Sequence, residues 1–200
     1  MKATLRRRAV VAGILKDRKK LLVVAGLGST TWDIPAAGDS PLNFPTWGAM
    51  GQAAMIGLGL ALAQPKRRVL VITGDGEMLM GLGSLATIGV QQPANLSIVV
   101  IDNERYGETG MQATHTASGI DLAAAALACK FRFSKTISAK SGLAALRRVI
   151  HGKSGPNFAA VKVAVEKLPL VLPPHDGELL KSRLRRALLG PSADVLPEKL

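Results

Sequence analysis

The chain has 200 residues, 48% of them hydrophobic, with 21 glycines, which suits one domain with its own core and argues against disorder. Its single cysteine, Cys129, excludes an internal disulfide framework and argues against a cysteine-based zinc or iron–sulfur site; in the apolar run 122–129 it reads as a buried structural thiol. The net charge of +12 suits an anionic ligand, an acidic partner or nucleic acid, but the basic residues lie in small scattered groups without interleaved aromatics, as on solvated helix faces, so nucleic acid is the least favoured of the three.

Residues 1–8 are basic and 9–15 apolar, the outline of a signal peptide; the charged run 16–20 breaks it, no small-residue cleavage site follows, and residues 1–20 read as an exposed basic helix. Leu21–Ala25 is a buried strand that ends in the small-residue loop Gly26–Thr31. The stretch Pro35–Pro45 has no periodicity. Gly48–Ala63 reads as a buried helix, and its apolar run is too short to span a bilayer. Val69–Thr73 is the clearest strand and stops at Gly74-Asp75-Gly76. A helix over Met78–Gln92 ends before Pro93, a strand covers Leu96–Asp102, and Asn103–Thr116 is a polar loop. Asp121 and Ser141 are placed to cap helices over 122–130 and up to about His151. Phe158–Val165 reads as a last strand and 179–189 as a basic amphipathic terminal helix whose final residues fray. The chain divides into a basic N-terminal helix (1–20), a ligand-binding domain (21–168) and a basic C-terminal extension (169–200). The expected compartment is the cytoplasm, with no membrane attachment.

Helices alternate with unbroken apolar strands, which predicts an α/β fold: a three-layer α/β/α sandwich with a mainly parallel sheet. Such sheets bind ligands outside the carboxyl ends of their strands. Three loops lie there: Gly26–Thr31, Gly74–Glu77 and Asn103–Thr116.

Gly74-Asp75-Gly76 follows a strand and opens a helix. Gly74 and Gly76 allow close backbone approach, and a helix start offers free N–H groups to an anion. An aspartate there would repel a bare phosphate, and makes sense with a cation between them; Mg²⁺ takes one or two protein oxygens plus phosphate oxygens. Asn103 ends the next strand, 28 positions beyond Asp75, one crossover away, so it can supply a second oxygen. Gly-Asp-Gly alone is a common turn; the weight rests on the series strand, Gly-Asp-Gly, helix, strand, Asp102-Asn103.

That series resembles the thiamine diphosphate motif of decarboxylases, acetolactate synthases and transketolases. More narrowly, residues 74–116 (GDGEMLMGLGSLATIGVQQPANLSIVVIDNERYGETGMQATHT) resemble the small subunit of sulfopyruvate decarboxylase and the matching half of phosphonopyruvate decarboxylase, a likeness that reaches back to Phe44–Gly51. The resemblance implies that Asp75, the Asn103 side chain and the Arg105 carbonyl ligate Mg²⁺. It implies that Gly76 and Glu77 offer backbone N–H groups to the diphosphate and that Ser29 and Thr30 hold it with hydroxyls. Many relatives carry serine at the position of Glu77, so no side-chain role is assigned there. Met50 matches the apolar residue that wedges beneath the cofactor, although the residue alone reads as core, and the Gly48 carbonyl would hold the aminopyrimidine. The loop 104–116 would close over the site, with Tyr106 at the cofactor and Glu108 and His115 as catalytic candidates beside Thr109 and Gln112. His115 would bind a carboxylate or move protons, or else cap its loop.

The resemblance covers only the diphosphate-binding half of these enzymes. It implies a separate pyrimidine-domain alpha subunit that supplies the activating glutamate, with residues 29–63 and 104–116 facing it, and self-association of the whole. The substrate would be a small anionic 2-oxoacid. An oxoacid:ferredoxin oxidoreductase subunit, an acetolactate synthase-like carboligase and a non-catalytic binding protein with basic tails remain alternatives.

Overall fold

A computed structural model describes residues 4–152 and 154–194. The elements run α1 (Arg7–Leu15), β1 (Leu22–Ala25), α2 (Ser29–Ala36), β2 (Asn43–Pro45), α3 (Ala53–Ala63), β3 (Val69–Gly74), α4 (Asp75–Met80), α5 (Ser84–Gln91) and β4 (Leu96–Asp102). They continue with the short strands β5 (Arg105–Tyr106) and β6 (Gln112–Ala113), then α6 (Leu122–Ala128), β7 (Phe133–Ile137), α7 (Ser141–His151), β8 (Asn157–Lys162) and α8 (Gly177–Leu189).

Among the described residues six strands form one parallel sheet in the order β2-β1-β3-β4-β8-β7. Strand side chains alternate between its faces, and both faces are apolar. Val24, Val71, Ile98 and Phe158 turn towards α3–α6 and α8. Val23, Leu70, Val99 and Val161 turn towards α1, α2 and α7. The expected three-layer α/β/α sandwich is the fold that results.

Several local expectations differ from the structure. The N-terminal helix is not an exposed basic one: α1 buries Val10, Val11, Ile14 and Leu15 in the second core, and even Arg7 is buried. Its arginines meet acids distant in sequence, Asp33 and Glu166, which a local reading cannot pair. Residues 29–31 open a helix instead of closing a loop, and Pro35 is accommodated in its last turn. The helix expected over 48–63 starts only at Ala53, after a turn in which Ala49 and Gly51 take positive φ. The helix expected over 78–92 is two, because Gly81 packs on this turn so closely that a Cβ would lie 2.1 Å from the Gly51 carbonyl oxygen.

Asp121 caps α6 as expected, accepting from the N–H groups of Ala123 and Ala124, whereas Ser141 lies inside α7 and caps nothing. The edge strands β2 and β7 lack continuous apolar runs and gave no strand signal. At the C-terminus, Asp176 caps α8, whose Leu180 and Leu184 are buried. The end of this helix, expected to fray, is formed: α8 stays helical to Leu189 and a 3₁₀ turn follows over Gly190–Asp194.

Candidate functional site

The chain leaves β1 for β2 on one side and then returns to build β3 on the other. The carboxyl ends of β1 and β3 therefore flank a topological switch point, where loops diverge and leave a crevice. Gly74, the last residue of β3, pairs in register with Ile101 of β4, which brings Asp75 and Asn103 to neighbouring strand ends. A cavity of about 140 Å³ lies there. Ser29, Thr30, Met50 and Gly74–Glu77 line one side, and Asn103, Arg105, Tyr106 and Glu108 the other. Three residues singled out in the sequence for the site are not among its lining: Gly48, Gln112 and His115, all of them exposed.

Asp75 is buried at the centre of a polar network. Its Oδ2 accepts from the Thr114 hydroxyl at 2.6 Å and, at 3.3 Å, from that of Thr116. Thr116 also reaches Asp102 Oδ1 at 2.9 Å and the Thr114 hydroxyl at 2.9 Å. Asp102, behind, pairs with Lys162 at 2.8 Å, and Lys162 also holds Glu104. Burial, reinforced by the like charge of Asp102 and only partly opposed by the threonine hydroxyls, pushes Asp75 up to about 6. Burial works to lower Lys162, but the two carboxylates outweigh it and hold its ammonium above the usual range. Thr114, Thr116 and Lys162 carry no signal of their own in the sequence, and Asp102 stands out there only as the residue before Asn103; the two threonines flank His115.

Glu77 is buried as well, and its side chain is a structural tie. It accepts from the Thr73 hydroxyl at 2.5 Å and from the Ala53 N–H at 3.3 Å, with further backbone support from Gly51 and Leu27. Burial raises its carboxyl above the ordinary value against these bonds. Gly26 is required beneath it, since a Cβ there would lie 1.7 Å from Glu77 Oε2. One carboxylate thus joins the ends of β1 and β3 to the turn that carries Met50.

The remaining groups are ordered too. The Asn103 side-chain oxygen accepts from the Arg105 N–H at 3.0 Å, which fixes its direction. The Tyr106 ring lies against Gly76, and Glu108 leans over Gly28. The Thr30 hydroxyl donates to the Gly26 carbonyl at 2.8 Å and so spends its proton within the loop. Ser29 differs: its oxygen accepts from Arg7 Nη1 at 2.9 Å, leaving its proton to give. Arg7 also lines the cavity, although nothing in the sequence set it apart from the basic run around it.

The oxygens gathered here are hard donors: the Asp75 carboxylate, the Asn103 amide and the backbone around Arg105. They suit a cation such as Mg²⁺ better than a softer metal. A buried carboxylate backed by a second one gains from a cation. Among the described residues no three His, Cys, Asp or Glu side chains converge as a metal centre, so a cation at Asp75 would draw further oxygens from its ligand and water.

Fold and site together define an α/β domain with a ligand crevice at the carboxyl edge of a parallel sheet. Residues 28–163 match the family described as "Thiamine pyrophosphate enzyme, C-terminal TPP binding domain", and the chain belongs to that family. It is 38% identical to sulfopyruvate decarboxylase subunit beta of Methanothermobacter thermautotrophicus over 187 residues, covering 92% of this chain and 94% of that one. It is 46% identical to phosphonopyruvate decarboxylase of Streptomyces viridochromogenes over 110 residues, which is 55% of this chain but 27% of that protein. Benzoylformate decarboxylase from Polynucleobacter necessarius shares the fold with a TM-score of 0.69 at 21% identity, over 83% of this chain and 34% of its own. No helix among the described residues is long and apolar enough to cross a membrane.

Proposed function

We propose that the chain is the diphosphate-binding subunit of a two-subunit, thiamine diphosphate- and Mg²⁺-dependent decarboxylase acting on a small anionic 2-oxoacid, of the sulfopyruvate or phosphonopyruvate type. The observation that carries this reading is the placement of Asp75 and Asn103 on adjacent strand ends beside the cavity, within a chain of this family. The names of the relatives supply the reaction class.

In this reading Asp75, the Asn103 side chain and the Arg105 carbonyl hold Mg²⁺. The N–H groups of Gly76 and Glu77 and the Ser29 hydroxyl receive the diphosphate, and Gly74 keeps the approach open. Met50, held by the turn that Glu77 ties down, supports the cofactor from below, and the Gly48 carbonyl holds its aminopyrimidine. When bound, thiamine diphosphate supplies a nucleophilic carbon and an electron sink for the departing carboxylate. Tyr106 shields the diphosphate end. Glu108 and His115, on the exposed side of the 104–116 loop, stand towards the substrate and move protons once a partner closes over them.

A separate alpha subunit would provide the pyrimidine domain and the activating glutamate. Ligand pockets commonly enclose about 300–1,000 Å³, and the 140 Å³ here suits a part of such a site. The test is calorimetric titration of thiamine diphosphate into the chain, alone and with its co-encoded neighbour, with and without Mg²⁺, for the wild type and Asp75→Ala. Mg²⁺-dependent binding that requires the neighbour and disappears in Asp75→Ala supports the reading. Carbon dioxide release from sulfopyruvate or phosphonopyruvate then fixes the substrate. Absence of binding in every combination sinks it.

A further inference from the structure

We propose that Arg7 is a diphosphate-binding residue, contributed by α1 from outside the family-matched stretch 28–163, and that it acts on the terminal phosphate both directly and by orienting Ser29. This inference rests on the thiamine diphosphate reading of the cavity.

The guanidinium is placed by two fixed contacts. Nε meets Asp33 Oδ2 at 2.5 Å and Nη1 meets Ser29 Oγ at 2.9 Å, and the side chain is only 7% exposed. The contact with Ser29 makes that oxygen an acceptor, so its hydroxyl proton is available to a ligand. Thr30 cannot substitute, because its proton goes to Gly26.

The cavity lining holds Asp75, Glu77 and Glu108 against Arg7 and Arg105, so an anion there relies on Mg²⁺ at Asp75 and on the arginine cluster of α1. Arg6, Arg7 and Arg8 meet two carboxylates, Glu166 and Asp33, so one positive charge is left over. Of these three arginines only Arg7 lines the cavity. It also lines a second cavity of about 400 Å³ that shares Ser29, Asn103 and Glu108 with the first. Glu108 over Gly28 is the opposing charge across the mouth. A buried guanidinium gains most from a rigid anionic partner, and its planar fork suits phosphate oxygens. Arg8 provides an internal control, since it shares Asp33 at 3.0 Å but does not line the cavity.

The experiment titrates Mg²⁺ with thiamine diphosphate, thiamine monophosphate or inorganic pyrophosphate into the full chain, alone and with its partner. Wild type, Arg7→Met, Arg7→Lys and Arg8→Met are compared, with thermal melting of each. Arg7→Met should bind thiamine diphosphate and pyrophosphate about 10–100-fold more weakly, as for a lost charge-assisted hydrogen bond, and lose most of its preference for diphosphate over monophosphate. Arg7→Lys, which keeps the charge but not the fork, should lie between, and it carries the test if Arg7→Met does not fold. Arg8→Met should bind as the wild type. Unchanged affinity and preference in both Arg7 variants overturn the inference while leaving the cofactor reading intact. Equal losses in Arg7→Met and Arg8→Met overturn it in favour of a structural role for the Asp33 cluster. A wild type that binds none of the three ligands removes the cofactor reading and this inference together.

Discussion

At the scale of single residues, Asp75 sets function against stability. Its carboxyl is about 6 in the folded chain against 3.8 as an ordinary value, so without a cation the folded state takes up a proton that the unfolded chain releases. The stability associated with that proton is fully present below about 4 and is lost as pH rises through about 6. Asp75→Asn removes the charge while keeping an acceptor for Thr114. It should raise the melting temperature of the metal-free chain at pH 8, by a stabilisation on the order of 1–3 kcal/mol, and abolish Mg²⁺-dependent cofactor binding. A variant less stable than the wild type at pH 8 would contradict this assignment. For the wild type, Mg²⁺ competes with the same proton, so cofactor affinity should decline below pH 6, as titrations at pH 5 and pH 8 will show.

Glu77 makes a different prediction. Its carboxylate serves Thr73 and the backbone of the Met50 turn, so Glu77→Ala leaves buried donors without an acceptor. Chemical denaturation should register a loss of about 2–3 kcal/mol. Glu77→Gln, which retains one acceptor oxygen, should lose less. A residue that only lent its backbone N–H to a ligand would show neither loss.

At the scale of elements, the legible parts were those with strong local signals. The strands Leu22–Ala25, Val69–Gly74 and Leu96–Asp102 are continuous apolar runs, and Asp75 and Asn103 end two of them, so the centre of the candidate site could be read directly. The edge strand β7 alternates with Lys135 and has no such run, and β2 is three residues long, so both escaped notice. Met78–Gln92 has unbroken helical length, and only contact with Gly51, distant in sequence, breaks it. The burial of α1 also depends on partners far along the chain: α2, α7 and the Asp33 and Glu166 carboxylates. Arg7 was therefore illegible as anything but one of three adjacent arginines. If α1 is integral to the sandwich, Ile14→Ala should cost about 2–4 kcal/mol, as a buried truncation does. An exposed helix would register almost nothing, and a urea titration separates the two.

At the scale of the whole molecule, the two faces of the sheet are closed while the carboxyl edge is not. Glu108, Met111 and Leu170 are exposed where they line the cavities, and His115 is exposed further along the same loop. In the proposed assembly this edge is where the partner sits. Within the isolated chain the ends of this 104–116 loop are already bonded, through the β5–β6 pairing and the N–H groups of Glu104, Arg105, Met111 and Thr114. Co-purified chains should therefore slow hydrogen exchange at the exposed tip 107–110 relative to the isolated chain, and equal exchange there with and without the partner would count against a partner at that edge. Of the 26 lysines and arginines, Arg7 and Arg105 are the two that line the 140 Å³ cavity, so salt should weaken pyrophosphate binding only modestly.

The Thr116 hydroxyl has one proton and three oxygens within reach: Asp75 Oδ2, Asp102 Oδ1 and the Thr114 hydroxyl. The position of that proton reports on the charge of Asp75. A charged Asp75 competes for it with Asp102, and a cation on Asp75 weakens one competitor and tips the hydroxyl towards the other. The side chain thus works as a built-in indicator: the Thr116 methyl and hydroxyl resonances should shift when Mg²⁺ arrives, before any substrate is present, and Thr116→Val should silence the signal while leaving the Asp75 carboxylate in place.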